Sequence, residues 1–376
     1  MHKVGKIMKI VHVAEWSAKS GGGFTAASNL VNSLLKINPK MDIHIVSFGD
    51  KNAVMTENGY TLHFIKLKLF PTSQYWYLPK ILNAKILEIS PDLVHLHFTY
   101  PPYSFITQLT IPVVITVHGL NSMRVKGSYP KSDYLNFRFI LYPYFEKKAL
   151  QRASRIINVS QWTKEKSDSV IGVNSKTVYI PNGIVYEKYS NIKPRDLNHP
   201  SIFFAGRLVK LKNVDILIKA LSIIKETNPD AHLYIAGSGP QYQKLGSLSV
   251  EFNVDKNITF LNFISEDEML KMYASVDIFA LPSKFENCPM VLLEALAVGT
   301  PVVASNVGGI PQILDNGKYG LLAESGNVED FAQKIITLIK NKSLRNELSE
   351  KGKQRVKEYS WDDIASKTIE LYSSIL

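Results

Sequence analysis

The chain has 376 residues, 45% hydrophobic and 20% charged, the ordinary proportions of a globular protein and enough for two α/β domains. A single cysteine, Cys288, excludes an internal disulfide and a zinc-cluster spacing and fits a reducing cytoplasm, and no run approaches the ~20 apolar residues of a membrane-spanning helix. The net charge of +11 is one-sided: residues 1–190 hold 23 Lys/Arg against 11 Asp/Glu, and residues 191–376 hold 21 against 22. That asymmetry points to an anionic partner (phospholipid head groups, a phosphorylated acceptor or nucleic acid), with solubilising charge as the plainer reading.

The basic start, Met1 to Lys9, leads straight into a strand-like run with no cleavage-site pattern, so no signal peptide is expected. Predicted strands follow at Met8–Ala14, Ile43–Phe48, Leu62–Leu67, Leu93–His97, Val113–Val117, Arg155–Val159 and Thr177–Ile180. They are rich in Val and Ile without polar alternation, as strands covered on both faces are. Helices are predicted at Phe24–Lys36, Phe137–Arg152 and Thr163–Val170, and Pro181-Asn182-Gly183 reads as a turn. The polar stretch Glu187 to Pro200 reads as a linker, after which the pattern restarts. Strands are expected at Ser201–Ala205, His232–Ala236, Ile258–Leu261, Asp277–Leu281 and Pro301–Ala304, and helices at Val214–Lys225, Glu266–Ala274 and Met290–Ala297. Three helical stretches close the chain, the last being Trp361–Leu376. The expected architecture is α/β, two Rossmann-like doubly wound domains facing a cleft, over 1–190 and 191–360, with 361–376 as a helix that could return to the first domain.

In such sheets ligands sit beyond the carboxyl ends of the strands. The segment Pro282 to Ala295 places Glu286 just after a strand and Glu294 eight residues later, inside the next helix. The turn between them opens a helix whose unpaired N–H groups and dipole favour a diphosphate, while the carboxylates can accept from sugar and ribose hydroxyls. Spacing alone equally admits a helix cap at Glu286 and a surface pair at Glu294. Arg207, Lys210 and Lys212 follow another strand and suit a diphosphate leaving group. Gly21-Gly22-Gly23 lets backbone approach a ligand closely before a helix, without the full dinucleotide spacing, and Gly237-Ser238-Gly239-Pro240 reads as a tight turn only. His118 ends the strand Val113–Val117, a cleft position or else a core histidine, and with His95 and His97 it forms an arithmetically possible three-histidine metal set. No Asp-x-Asp occurs, so no divalent metal and no other cofactor is expected; cations and helix ends must neutralise the phosphates.

Taken in order, these segments resemble the group 1 family of retaining glycosyltransferases with the GT-B fold. The Glu286-to-Glu294 segment is similar to the family's Glu-x7-Glu motif, continued by Gly299-Thr300-Pro301 and by Gly308-Gly309. Gly206-Arg207-Leu208 with Lys212, Pro181-Asn182-Gly183, His118-Gly119 and Gly21–Gly23 also fall where the family has them. The resemblance implies transfer of a sugar from a nucleotide-diphosphate donor without a protein nucleophile. It implies that Arg207 and Lys212 stabilise the leaving diphosphate, Glu294 holds the ribose, Glu286 holds the transferred sugar, and His118 contacts that sugar. Gly22 and Gly23, and the backbone of Asn287, Cys288, Pro289, Met290 and Val291, are implied to bind donor. Val185, Gln312 and Cys288 depart from residues common in the family and loosen the donor assignment. A sugar-nucleotide 2-epimerase and a non-catalytic sugar-nucleotide binding protein are the competing readings; nucleic acid is not an expected partner, since no recognised binding module occurs.

Two stretches mix cations with aromatics: Lys66 to Lys80, with Lys68, Phe70, Tyr75, Trp76 and Tyr77, and Lys131 to Arg155, with Tyr134, Phe137, Tyr142, Tyr144 and Phe145. They suit reversible docking on an anionic membrane, against the alternative of plain core packing. The expectation is a cytoplasmic enzyme, peripheral at the inner face of the plasma membrane, acting on a glycan or lipid-linked acceptor of a surface polysaccharide.

Overall fold

The structure, a computed structural model, describes residues 7–16, 22–66, 77–98, 109–120, 137–172, 175–189, 192–198 and 200–376. It divides into two units, Met1–Gly183 with Trp361–Leu376, and Ile184–Ser360.

Unit 1 runs β1 (Lys9–Val13), α1 (Gly22–Ile37), β2 (Asp42–Gly49), β3 (Ala53–Glu57), β4 (Tyr60–Lys66), α2 (Tyr77–Ile89), β5 (Leu93–Leu96), β6 (Val113–Val117), α3 (Phe137–Arg152), β7 (Arg155–Asn158), α4 (Gln161–Ile171) and β8 (Thr177–Tyr179). The sheet order is β3-β4-β2-β1-β5-β6-β7-β8. All of its pairings are parallel except β3 with β4. Val11, Val13, Val94, Leu96, Val113, Ile115 and Val117 fill the core against Leu82 and Ile86 of α2. On α1, Ala26, Ala27, Leu30, Val31 and Leu34 are buried at helical spacing, one apolar face turned to the interior. Of the β3–β4 hairpin, β4 falls on the predicted strand Leu62–Leu67, while β3 is not among the predicted strands. Asn58 (φ 49°) and Gly59 (φ 85°) form the hairpin's two-residue turn, where both central positions need positive φ.

Unit 2 runs β9 (Ser201–Ala205), α5 (Asp215–Thr227), β10 (His232–Ala236), α6 (Tyr242–Glu251), β11 (Ile258–Asn262), α7 (Glu266–Ser275), β12 (Ile278–Leu281), α8 (Met290–Val298), β13 (Val302–Ser305), α9 (Ile310–Ile313), β14 (Leu321–Ala323), α10 (Val328–Lys340) and α11 (Lys342–Arg355). Its six strands are parallel, in the order β11-β10-β9-β12-β13-β14. Ser265 caps α7 by accepting from Glu268 N, and Asn327 caps α10 by accepting from Asp330 N. Gly299 ends α8 in the left-handed conformation (φ 90°).

The last helix, α12 (Trp361–Ser373), belongs to unit 1, where it packs on α1 and pairs Asp362 with Lys36 at 2.5 Å. The unit boundary falls after Gly183 rather than at 190, and the polar stretch expected as a linker is tied to unit 2. Tyr186–Tyr189 forms a 3₁₀ turn, Arg195 N donates to Ser275 Oγ (2.6 Å) and its side chain pairs with Glu268, and Asn198 N donates to Tyr234 Oη (3.1 Å). Two of these bonds come from the backbone and one from the Arg195 side chain.

Candidate active site

In unit 2 the chain leaves β9 for β10 and β11 on one side, then returns to β12 and continues through β13 and β14 on the other. The carboxyl ends of β9 and β12 therefore flank the topological switch point, where open α/β sheets hold ligands. After β9 come Arg207, which is exposed, and a 3₁₀ turn Lys210–Lys212 ended by Asn213 in the left-handed region (φ 54°). After β12 comes the loop to α8, carrying Ser283, Glu286, Asn287 and Cys288, all buried. Lys284 N donates to Leu211 O at 2.9 Å, fastening the two loops together.

That fastening brings Lys212 Nζ to 2.5 Å from Glu286 Oε1, an oxygen that also accepts from Ser283 Oγ at 2.7 Å. The side chains of Lys212 and Glu286 are 19% and 11% exposed, so the pair is desolvated enough to hold a fixed geometry. Helix α8 starts at Met290 behind Pro289, whose side chain makes no capping hydrogen bond. Glu286 Oε1 is taken up by Lys212 and Ser283.

Glycines fix these loops from behind. A Cβ on Gly308 (φ 56°) would stand 1.9 Å from Glu286 O, and Gly309 N donates to that same oxygen at 3.0 Å. A Cβ on Gly237 (φ 134°) would stand 1.9 Å from Gly206 O, while Leu208 N donates to Ser238 O at 2.9 Å. The Gly237–Gly239 segment is thus more than the tight turn expected from sequence: it is the backstop of the Arg207 loop.

Glu294 is not a surface pair. It is part-buried on α8 and accepts from Tyr273 Oη of α7 at 3.0 Å. Burial pushes its carboxyl up to about 7, with the Tyr273 bond acting the other way, and burial beside the Glu294 charge raises both Tyr273 and Tyr189. Tyr273 and Ser283 carry no motif signal of their own in the sequence; only the fold shows that they hold the two glutamates.

In unit 1, His118 follows β6, half-buried, and burial lowers its imidazole to about 4, so it is neutral at physiological pH. It lines a small pocket with His97, Thr116, Asn182, Trp361 and Thr368. Gly22 and Gly23 form the first residues of α1 rather than a loop ahead of it; Gly21 lies outside the described residues. Among the described residues, the three-histidine group with ring nitrogens within 4.8 Å of one another is His12, His95 and His97, not the set containing His118. His12 enters from β1, paired beside β5 with His12 opposite His95.

Of the cation–aromatic stretches, residues 67–76 and 131–136 lie outside the described residues. Lys66 and Lys80 are exposed, and on α3 Tyr144 is 57% exposed with Lys148 Nζ 5.8 Å from its ring centre, while Ala149 and Leu150 are buried. Among the described residues no helix is long and apolar enough to cross a membrane.

Comparison with known proteins agrees with this geometry. The model of "Glycosyl transferases group 1" matches residues 185–355, and that of "Glycosyltransferase Family 4" matches residues 20–188. An uncharacterised glycosyltransferase of Methanocaldococcus jannaschii is 29% identical over 374 residues, covering 98% of this chain and 99% of the relative. A D-inositol 3-phosphate glycosyltransferase of Corynebacterium aurimucosum is 26% identical, covering 96% of this chain and 92% of its own. Among solved structures, Anabaena HepE in complex with UDP-glucose superposes with a TM-score of 0.76 at 19% identity, over 98% of this chain and 100% of HepE. The chain belongs to the group 1 glycosyltransferase family and is a glycosyltransferase of GT-B fold.

Proposed function

We propose that this protein is a retaining, metal-independent hexosyltransferase whose donor, a nucleoside-diphosphate sugar, binds at the switch point of unit 2. The observation that carries the reading is the Lys212–Glu286–Ser283 cluster beside the start of α8, with Arg207 on the adjoining loop. Arg207, Lys212 and the α8 N–H groups neutralise the diphosphate, and the backbone from Asn287 to Val291 completes that cradle. Glu286 accepts from hydroxyls of the transferred sugar, Glu294 from those of the ribose. His118 is the sugar-contacting side chain of unit 1, with Gly22 and Gly23 giving close backbone approach. UDP-glucose bound by HepE supports a nucleotide-sugar donor.

In the reaction the bond from the sugar C1 to the diphosphate breaks, its electron pair leaving with the phosphate oxygen. The acceptor hydroxyl attacks C1 from the same face and passes its proton to that oxygen. Catalysis is then positioning plus stabilisation of charge on the departing diphosphate. The acceptor is a glycan or lipid-linked molecule of a surface polysaccharide, met by an enzyme lying peripherally on the cytoplasmic side of an anionic membrane. The charge excess of residues 1–190 supports docking on such a surface. A panel of UDP-, GDP- and ADP-sugars assayed with and without EDTA tests it: turnover of a donor that survives chelation is expected. Loss of turnover in EDTA, restored by a divalent ion, would contradict the metal-independent mechanism.

A further inference from the structure

The loop that carries Glu286 rests on a one-turn helix, and the far end of that helix is gripped by one side chain. Gly309, where α9 begins, donates its N–H to Glu286 O at 3.0 Å, and Gly308 has no room for a Cβ against the same oxygen. Within α9, Ile313 N donates to Gly309 O at 3.2 Å and Leu314 N to Ile310 O at 3.0 Å. At the other end stands Arg355, the last residue of α11. Its Nε donates to Ile313 O at 3.0 Å and its Nη2 to Gln312 O at 2.9 Å.

Arg355 is itself fixed in place. Its Nη1 donates to Glu358 Oε2 at 2.6 Å, and Nη2 also reaches Tyr359 Oη at 3.3 Å. The guanidinium carbon lies 5.3 Å from the ring centre of Tyr319 and 5.4 Å from that of Tyr359, and the side chain is 15% exposed. A helix of four residues cannot hold its own shape, because the first hydrogen-bonded turn costs more order than it returns. The buried Ile310, Ile313 and Leu314 sink α9 into the core, but apolar burial has no direction. The planar fork supplies the direction: donors at a fixed separation set where the two carbonyls lie, and so where Gly309 meets Glu286.

We propose that Arg355 is a positioning residue for the transfer reaction: through α9 it sets the backbone of Glu286, and with it the carboxylate that holds the transferred sugar. The effect on turnover rests on the reading of Glu286 as that sugar contact; the strut from Arg355 to Glu286 rests on unit 2 geometry alone. Because Arg207 and Lys212 lie on the loop after β9, with the Gly237–Gly239 segment behind it, loss of the strut misplaces the sugar more than the diphosphate.

Two variants of the full-length protein test this. Arg355→Lys keeps the charge without the fork, and Arg355→Met keeps an unbranched stem without any donor. Hydrogen exchange read on the peptide 306–314 is expected to quicken in both, as the Gly309 N–H loses its fixed place on Glu286 O. Affinity for UDP and GDP by calorimetric titration is expected to stay within about threefold of wild type, while kcat with a sugar nucleotide falls roughly 10- to 100-fold, further in Met than in Lys. Unchanged kcat in the folded variants overturns the proposal. So does a loss of UDP or GDP affinity as large as the loss of kcat, which marks a site that has collapsed rather than one misaligned. Should the Met variant not fold, the Lys variant decides. A wild type that turns over no sugar nucleotide sinks the reading of Glu286 as a sugar contact, and the exchange measurement then judges the strut by itself.

Discussion

Replacing Glu294 by Gln is expected to stabilise the free protein and weaken its hold on donor. Burial raises the Glu294 carboxyl from its ordinary 4.5 to about 7, so the folded state binds its proton more tightly than the unfolded state. Stability therefore falls as pH rises from about 4.5 to about 7 and stays at the lower value above that. The shift corresponds to about 3 kcal/mol carried as a penalty at pH 8. Glutamine is neutral throughout, keeps an oxygen for Tyr273 Oη, and removes the penalty. The melting transition of unit 2 should rise by about 6–12 °C at pH 8. The gain should shrink steadily below pH 7 and vanish near 4.5. Nucleoside-diphosphate affinity at pH 8 should drop about 10- to 100-fold, the loss of charge-assisted bonds to ribose. Calorimetric melts and titrations at pH 5, 6.5 and 8 read both effects. A variant that is less stable at pH 8, or whose stability difference does not change with pH, would refute the reasoning.

Lys212→Ala and Arg207→Ala should each cut turnover by roughly 10² or more, the scale of losing a transition-state charge contact, with the fold intact by circular dichroism. Ser283→Ala frees Glu286 to rotate and should lower kcat more than it raises donor KM, measured in steady state. Gly308→Ala forces a Cβ against Glu286 O in a left-handed backbone, so donor binding should be lost even where the protein remains folded; titration of UDP or GDP checks this. Vesicle co-sedimentation should rise with anionic lipid, fall with salt and weaken when Lys66, Lys68 and Lys80 become Glu; equal binding to neutral vesicles would leave a soluble acceptor as the better account.

The buried parallel strands were legible because each is a short Val/Ile run whose residues vanish into the core on both faces, as Val113–Val117 does. The two glutamates were legible because strand end and helix lie within one short segment. Their partners were not. Lys212 is 74 residues from Glu286, and the pairing of β9 with β12 and a backbone bond between the loops that follow them bring the two together. Tyr273 and Gly308 act through a carboxylate or carbonyl supplied by another element, which no local pattern encodes. His12 escaped the histidine set because strand pairing, not spacing, places it beside β5. Asn58-Gly59 marks a hairpin outright, and the polar segment around Arg195 carries the bonds that tie it to unit 2. The three-residue strand β14 is too short for any periodicity to announce it.

In the proposed reaction a sugar leaves its diphosphate at the Arg207–Lys212–Glu286 site and is taken by an acceptor on the same face. Proton NMR of the first product formed from an α-linked nucleotide sugar tests it most directly. A new α-anomeric signal, lost together with turnover in Lys212→Ala, is the expected result. A β-linked product, or undiminished transfer by Lys212→Ala, would contradict it.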